Sequence, residues 1–245
     1  MLAFILLGFV VGFLVGLTGV GGGALMTPAL IFLGVEPLTA VGTDLLYATV
    51  TRVFGVFFHG RRGHVRTDIA FRLLAGSVPA VLVGGYIVRH LPKELLNRHL
   101  TLVLGIILIV TATLSLLRGE ISIPVRPRWA YVYLLGFIVG LTVHFTSVGA
   151  GVIISFSLMN VAKINPRNVV GTTIFYGLAL SALSFLSYAS MGSVDYQLAG
   201  ALILGTVPGV YFGTHVNARA DKERLKKVIN FIILLIGLFT LLNGR

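Results

Sequence analysis

Ten stretches of almost unbroken apolar sequence follow one another along the chain, at 1–18, 22–35, 38–59, 68–88, 99–117, 129–146, 150–162, 168–189, 196–216 and 228–243. Most approach the length of about twenty residues that a helix needs to cross a hydrocarbon layer about 30 Å thick. They are apolar all round rather than along one stripe, which predicts helices enclosed by lipid or protein. A transmembrane barrel would instead show strands of about ten alternating residues. Two stretches, 22–35 and 150–162, are too short to cross comfortably, and each follows a break rich in glycine. The linker-like sequence 118–128, with Pro124, Arg126, Pro127 and Arg128, divides a single transmembrane domain into 1–117 and 129–245.

The two parts repeat each other. At an offset of 128, Gly8, Gly12, Thr18, Val20, Gly21 and Gly23 fall on Gly136, Gly140, Thr146, Val148, Gly149 and Gly151. After a gain of one residue, Gly42, Thr43, Gly63, Gly76, Pro79 and Gly84 fall on Gly171, Thr172, Gly192, Gly205, Pro208 and Gly213. Each part therefore carries five apolar elements, and an odd number of elements turns the second copy upside down relative to the first. Inverted repeats are a common plan of secondary transporters, with the site near the midplane where the copies meet.

Composition supports the membrane reading. Of 245 residues, 56% are apolar and only 11% charged, with a mean hydropathy of +0.98. Soluble domains carry about 25% charged residues. A soluble enzyme, a disordered chain and, with no cysteine, a disulfide-stapled secreted domain are all excluded. Met1–Leu7 has no basic flank, so the first stretch is expected to be retained as a membrane element.

The net charge of +11 does not indicate nucleic acid, because the basic residues sit in short connections between apolar runs. Of the 19 Lys and Arg, Arg52 lies inside a segment; four (Arg89, Lys93, Arg98 and Arg245) fall on one face and the remaining 14 on the other. The positive-inside rule makes the richer face cytoplasmic, with both termini outside.

Chemistry concentrates at the two breaks. Thr18-Gly19-Val20-Gly21-Gly22-Gly23 and its counterpart Thr146-Ser147-Val148-Gly149-Ala150-Gly151 interrupt apolar runs. Irregular backbone inside a membrane is tolerated where it is buried in protein or lines a wet cavity. A helix starting there aims free N–H groups and a positive dipole end at one point, which suits an anion. Close helix packing accounts for Gly8, Gly12 and Gly16, but poorly for three glycines in a row.

Polar residues inside the runs add to this. Arg52 and Asp44 are two turns apart and can share a face. They read either as a structural pair or as the charge center of a site for an anion. Thr172 and Thr173 are the counterparts of Thr43 and Asp44 and offer hydroxyls to the same ligand or to neighbouring helices. His144 replaces Gly16 beside the second break and reads as a packing residue or as an anion or proton ligand. There is no His/Asp/Glu grouping with metal-ligand spacing, no H-E-x-x-H and no G-x-S-x-G.

In Gly12-x3-Gly16-x4-Gly21-Gly22-Gly23-x4-Pro28, then Ala40-Val41-Gly42-Thr43, and a weaker second copy, the sequence resembles the TauE/SafE sulfite-exporter family of membrane permeases. The resemblance covers essentially the whole chain and implies transport of sulfur-containing anions such as sulfite, thiosulfate or organosulfonates. The sequence departs from the family pattern at Gly149-Ala150-Gly151, at Phe156-Ser157 and at Asp44, where a small hydroxyl residue is usual. An acid beside an anion site argues for proton or cation coupling, or for a partner to Arg52.

The expectation is an all-α polytopic membrane protein with two inverted repeats of about five helical elements each, eight to ten of them in the membrane. Its Gly-rich broken or re-entrant helices would meet near the midplane. The substrate set is Thr18, Gly19, Gly21, Gly22, Gly23, Thr43, Arg52, Thr146, Ser147, Gly149, Gly151 and Thr172, with Asp44 and His144 for coupling. No cofactor, metal or catalytic residue is expected. Expected partners are a small anion, the lipid bilayer of the cytoplasmic (inner) membrane, and a coupling proton or cation. A homo-oligomer is compatible with the sequence and nucleic acid is not. A channel-like anion conductor and, less favoured, an intramembrane enzyme using His144 and Asp44 are the alternatives.

Overall fold

A computed structural model of the chain describes residues 1–18, 23–60, 65–117, 129–160, 164–217 and 222–243. The linker 118–128 lies outside the described residues. Those described fold into ten helices: α1 (Leu2–Thr18), α2 (Gly23–Phe32), α3 (Pro37–Gly60), α4 (Thr67–His90), α5 (Lys93–Leu116), α6 (Trp129–Thr146), α7 (Ala150–Asn160), α8 (Pro166–Ser190), α9 (Tyr196–Asn217) and α10 (Lys222–Asn243). Each matches one apolar stretch of the sequence. Among the described residues, α4, α5, α6 and most of α8 are long and apolar enough to cross a bilayer. The protein is an all-α polytopic membrane protein.

Two helix starts differ from expectation. α5 and α10 begin at Lys93 and Lys222, six residues before the apolar runs at 99 and 228. The apolar pattern marks only the part of a helix inside hydrocarbon. The polar turns Lys93-Glu94-Leu95-Leu96-Asn97-Arg98 and Lys222-Glu223-Arg224-Leu225-Lys226-Lys227 continue the helix outside that layer, where Glu94 also complements the helix dipole.

The packing is that of two halves exchanged onto each other. α1 lies along α9 as α6 lies along α4, and α3 packs on α8 and α5 on α10. Glycines bring these backbones together. A Cβ on Gly8 would meet the Leu202 carbonyl and one on Gly205 the Ile5 carbonyl. In the other half, one on Gly136 would meet the Leu73 carbonyl and one on Gly76 the Tyr133 carbonyl. The repeated glycines of the sequence are thus the paired contacts of two equivalent interfaces. A hydroxyl node closes each. Ser77 Oγ lies 2.7 Å from the Gly136 carbonyl oxygen and 2.6 Å from the Tyr176 hydroxyl. Thr206 Oγ1 lies 2.9 Å from the Gly8 carbonyl oxygen and 3.0 Å from the Tyr47 hydroxyl. Tyr47, Tyr176, Ser77 and Thr206 are all buried.

Helix directions follow from the contacts. Gly42 lies beside Tyr188, and Arg52 reaches Gly177, so α3 and α8 are antiparallel. Gly105 lies beside Leu241, and Gly237 beside Ile109, so α5 and α10 are antiparallel too. Equivalent helices that touch therefore run in opposite senses, the relation that a two-fold axis lying across the helices imposes. α1 runs parallel to α9 and, through it, to α3, while Thr27 of α2 meets Asp44 of α3 across a short turn. α1 and α2 thus leave and return toward the face where α3 begins; α6 and α7 do so toward the face where α8 begins. At about 1.5 Å per residue, α2 and α7 are about 15 Å long, half a hydrocarbon layer. The outer surface carries exposed apolar side chains, among them Leu6, Leu186, Leu204 and Phe231, as a lipid-facing surface does.

Candidate functional site

The break between α6 and α7 places irregular backbone within the bundle. Three residues, Ser147-Val148-Gly149, separate the helices, with Ser147 at φ +60° and Gly149 at φ +106°. The turn is anchored locally. The Ser147 N–H donates to the Val143 carbonyl at 2.7 Å, and the Gly149 carbonyl accepts from the Ile153 N–H at 2.9 Å. The Thr146 hydroxyl donates to the Thr142 carbonyl at 2.6 Å and accepts from the Val148 N–H at 3.2 Å. Thr146, expected to touch the ligand, therefore has its hydroxyl committed to the turn.

What this leaves free points one way. The first N–H groups of α7 have no acceptor within the helix. A Cβ on Gly151 would meet nothing within 4 Å, so space is open at that first turn. The Ser147 hydroxyl is buried and has no hydrogen-bond partner. First-turn amides without helical acceptors, a hydroxyl and open space at a helix start are features that suit a negatively charged group.

Asp44 stands against this turn. It is fully buried, and its Oδ2 accepts a 2.5 Å hydrogen bond from the Thr27 hydroxyl of α2. Its Oδ1 has no partner, and the Ser147 hydroxyl lies beside the carboxyl without closing a hydrogen bond. Elements of both halves thus converge here. Thr27 did not stand out in the sequence, where it is one hydroxyl among many; only the return of α2 along α3 sets it on Asp44.

His144 is also fully buried, and neither ring nitrogen has a partner. Its ring packs against Phe145, Tyr188 and the bare Cα of Gly84. The Tyr188 hydroxyl donates to the His144 carbonyl at 3.0 Å, which fixes the backbone and leaves the ring unsatisfied. By contrast, Nδ1 of each of the exposed His90, His99 and His215 lies close to the carbonyl one turn back. His144 is thus a packed residue with unused polar capacity.

Three other expected residues sit apart from the turn. Arg52 is half-buried, and its Nη1 donates to the Gly177 carbonyl at 3.1 Å. It makes no ion pair with Asp44; among the described residues the ion pair is Arg66–Asp68, at the exposed start of α4. Thr43 and Thr172 form a matched pair of ties. The Asp195 N–H donates to Thr43 Oγ1 at 3.0 Å, and the Arg66 N–H donates to Thr172 Oγ1 at 2.9 Å. Thr172 also donates to the Asn168 carbonyl at 2.6 Å. Each of these threonines holds a connection of the opposite half. Thr18 closes α1 and Gly23 opens α2, while Gly19, Gly21 and Gly22 lie outside the described residues.

Comparison with known proteins agrees with this architecture. The pattern of the family described as sulfite exporter TauE/SafE matches residues 4–240. The chain is 36% identical to a probable membrane transporter protein of Bacillus subtilis, YjnA, over 96% of this chain and 97% of the relative. A second from that organism, YdhB, is 28% identical over 97% and 98%. A probable membrane transporter protein of Xylella fastidiosa is 25% identical over 96% and 92%. No solved structure matches the chain.

Proposed function

The chain belongs to the TauE/SafE family of membrane transporters, and from that premise we propose that it is a permease for small sulfur-containing anions: sulfite, thiosulfate or organosulfonates. The observation that carries this reading is the α6–α7 turn. Its free helix-start amides, open space at Gly151 and unpartnered Ser147 hydroxyl are the donors an oxyanion needs in place of water. Arg52, two turns beyond Asp44 on α3, supplies a positive charge to the same half of the bundle. The antiparallel crossing of equivalent helices supports a mechanism in which two inverted halves rock against each other and expose the site to alternate faces.

Asp44 sets a condition on this mechanism. An anion about 4 Å from an ionised carboxylate, at an effective dielectric constant of about 20, is opposed by about 4 kcal/mol, roughly a thousandfold in affinity. Binding beside Asp44 therefore requires a proton or a cation on the carboxyl. We assign the proton, because Thr27 holds one oxygen and leaves the other free to carry it. The test is counterflow of labelled thiosulfate and sulfite in proteoliposomes with and without a pH gradient. Saturable uptake driven by the gradient is expected in the wild type, and Asp44→Asn should exchange substrate but lose the gradient dependence. Indifference of the wild type to pH gradients removes proton coupling; no uptake of any sulfur oxyanion removes the substrate class.

A further inference from the structure

A groove of about 430 Å³ opens between the C-terminal ends of α4 and α8, and none of the residues so far assigned lines it. Its wall is apolar, with Val78, Leu82 and Leu183, but one end is polar. Arg89 lies at that end with its Nη2 3.4 Å from Ser190 Oγ, and Ser187 stands deeper. The floor is Gly85, where a Cβ would lie 2.6 Å from Ser187 Oγ and 3.9 Å from His144 Nε2. Only the bare backbone at Gly84 and Gly85 therefore separates the groove from a fully buried histidine whose two ring nitrogens have no partner.

The polar lining does not follow from the repeat. Under the offset of 129 that relates the halves, Gly85, Arg89 and Ser187 correspond to Thr214, Ala218 and Phe58. At the counterpart positions the guanidinium becomes alanine, the Ser187 hydroxyl becomes phenylalanine and the bare floor becomes threonine.

We propose that this groove is a second anion-binding site, a port through which the transported oxyanion passes between solvent and the interior. Arg89 and the Ser187 hydroxyl hold the anion, while Ser190, whose hydroxyl donates to the Ser187 carbonyl at 2.7 Å, braces the guanidinium; His144 receives the anion across Gly85. The proposal rests on the anion-permease reading for the identity of the ligand. The arrangement fits an oxyanion: a guanidinium for charge, the Ser187 hydroxyl for a further oxygen, and an apolar wall on the other side.

The chain has no cysteine, so Leu183→Cys introduces a single thiol into the wall of the groove and leaves Arg89 and Ser187 in place. The protein is placed in nanodiscs of phosphatidylcholine, and its reaction with a hydrophilic maleimide is timed with sulfate or sulfoacetate, which do not consume the reagent. The thiol should react. The rate should fall about tenfold when the anion stands about ten times above its dissociation constant. Adding Arg89→Gln should abolish that protection and Arg89→Lys should keep most of it, both with cooperative melting. A thiol that reacts at the same rate with and without anion, in protein that transports sulfur oxyanions, overturns the port while leaving the permease reading intact. Wild-type counterflow is read separately, so a failure of that reading is seen without the thiol. Protection by phosphatidylglycerol nanodiscs alone, with no response to free anion, overturns the port in favour of a lipid phosphate.

Discussion

Ser147 allows strain, stability and transport to be separated at one position. It holds φ +60° in the turn between α6 and α7, its hydroxyl has no partner, and it is buried beside Asp44. A left-handed backbone costs an ordinary L-residue about 1–2 kcal/mol. Ser147→Gly relieves that cost, and after about 0.5–1 kcal/mol for the freedom glycine gains in the unfolded chain, the net is a stabilisation of up to about 1.5 kcal/mol. Ser147→Ala keeps the Cβ and the strain and removes a hydroxyl that holds nothing, so stability should stay within about 0.5 kcal/mol of wild type. If the hydroxyl binds the anion, both variants lose one hydrogen bond to a charged ligand. That is about 1.5–3 kcal/mol, or about 10- to 150-fold in kcat/KM. Stability is read by reversible unfolding in mixed detergent micelles, and transport by initial uptake into proteoliposomes. The expected signature is opposed: one variant firmer, one unchanged, both impaired alike. Ser147→Ala losing 1–2 kcal/mol of stability, or normal uptake in both variants, would refute the reasoning.

The remaining predictions concern the scaffold around the site. Ser77→Ala strands the buried Tyr176 hydroxyl, which should cost about 1–2 kcal/mol, and adding Tyr176→Phe should recover part of it. Thr206→Val with Tyr47→Phe should reproduce the pattern in the other half, as a double-mutant cycle in the same unfolding assay will read. Thr43→Val and Thr172→Val should each cost about 1 kcal/mol by losing a tie to a connection, while leaving the anion-induced shift in melting temperature unchanged; a lost shift would return these hydroxyls to the site. Gly205→Val drives a side chain into the Ile5 carbonyl and should destabilise by about 4 kcal/mol or more, seen as failure to accumulate in membranes. Gly200→Val, with nothing within 4 Å of its added Cβ, should be tolerated.

The sequence by itself determined the number and order of the helices, because a run of apolar residues reports directly on the hydrocarbon that encloses it. It also exposed the repeat, since Gly8, Gly76, Gly136 and Gly205 must be glycine wherever two backbones touch. The hydroxyl nodes were legible as well: Tyr47 and Tyr176 are 129 residues apart, as are Ser77 and Thr206, and following the polar residues of the repeat would have found them. Only the tertiary structure decided which polar side chains are spent and which are free. Thr43, Thr146, Thr172 and Ser147 look alike along the chain, but three have their hydroxyls committed to backbone ties and one does not. Likewise Arg52 and Asp44 share a helix but not an ion pair, and Thr27, on another helix, is the residue that holds the acid. A hydrogen bond forms or fails over a few tenths of an ångström between elements far apart in the chain, and no local pattern of residues encodes that distance.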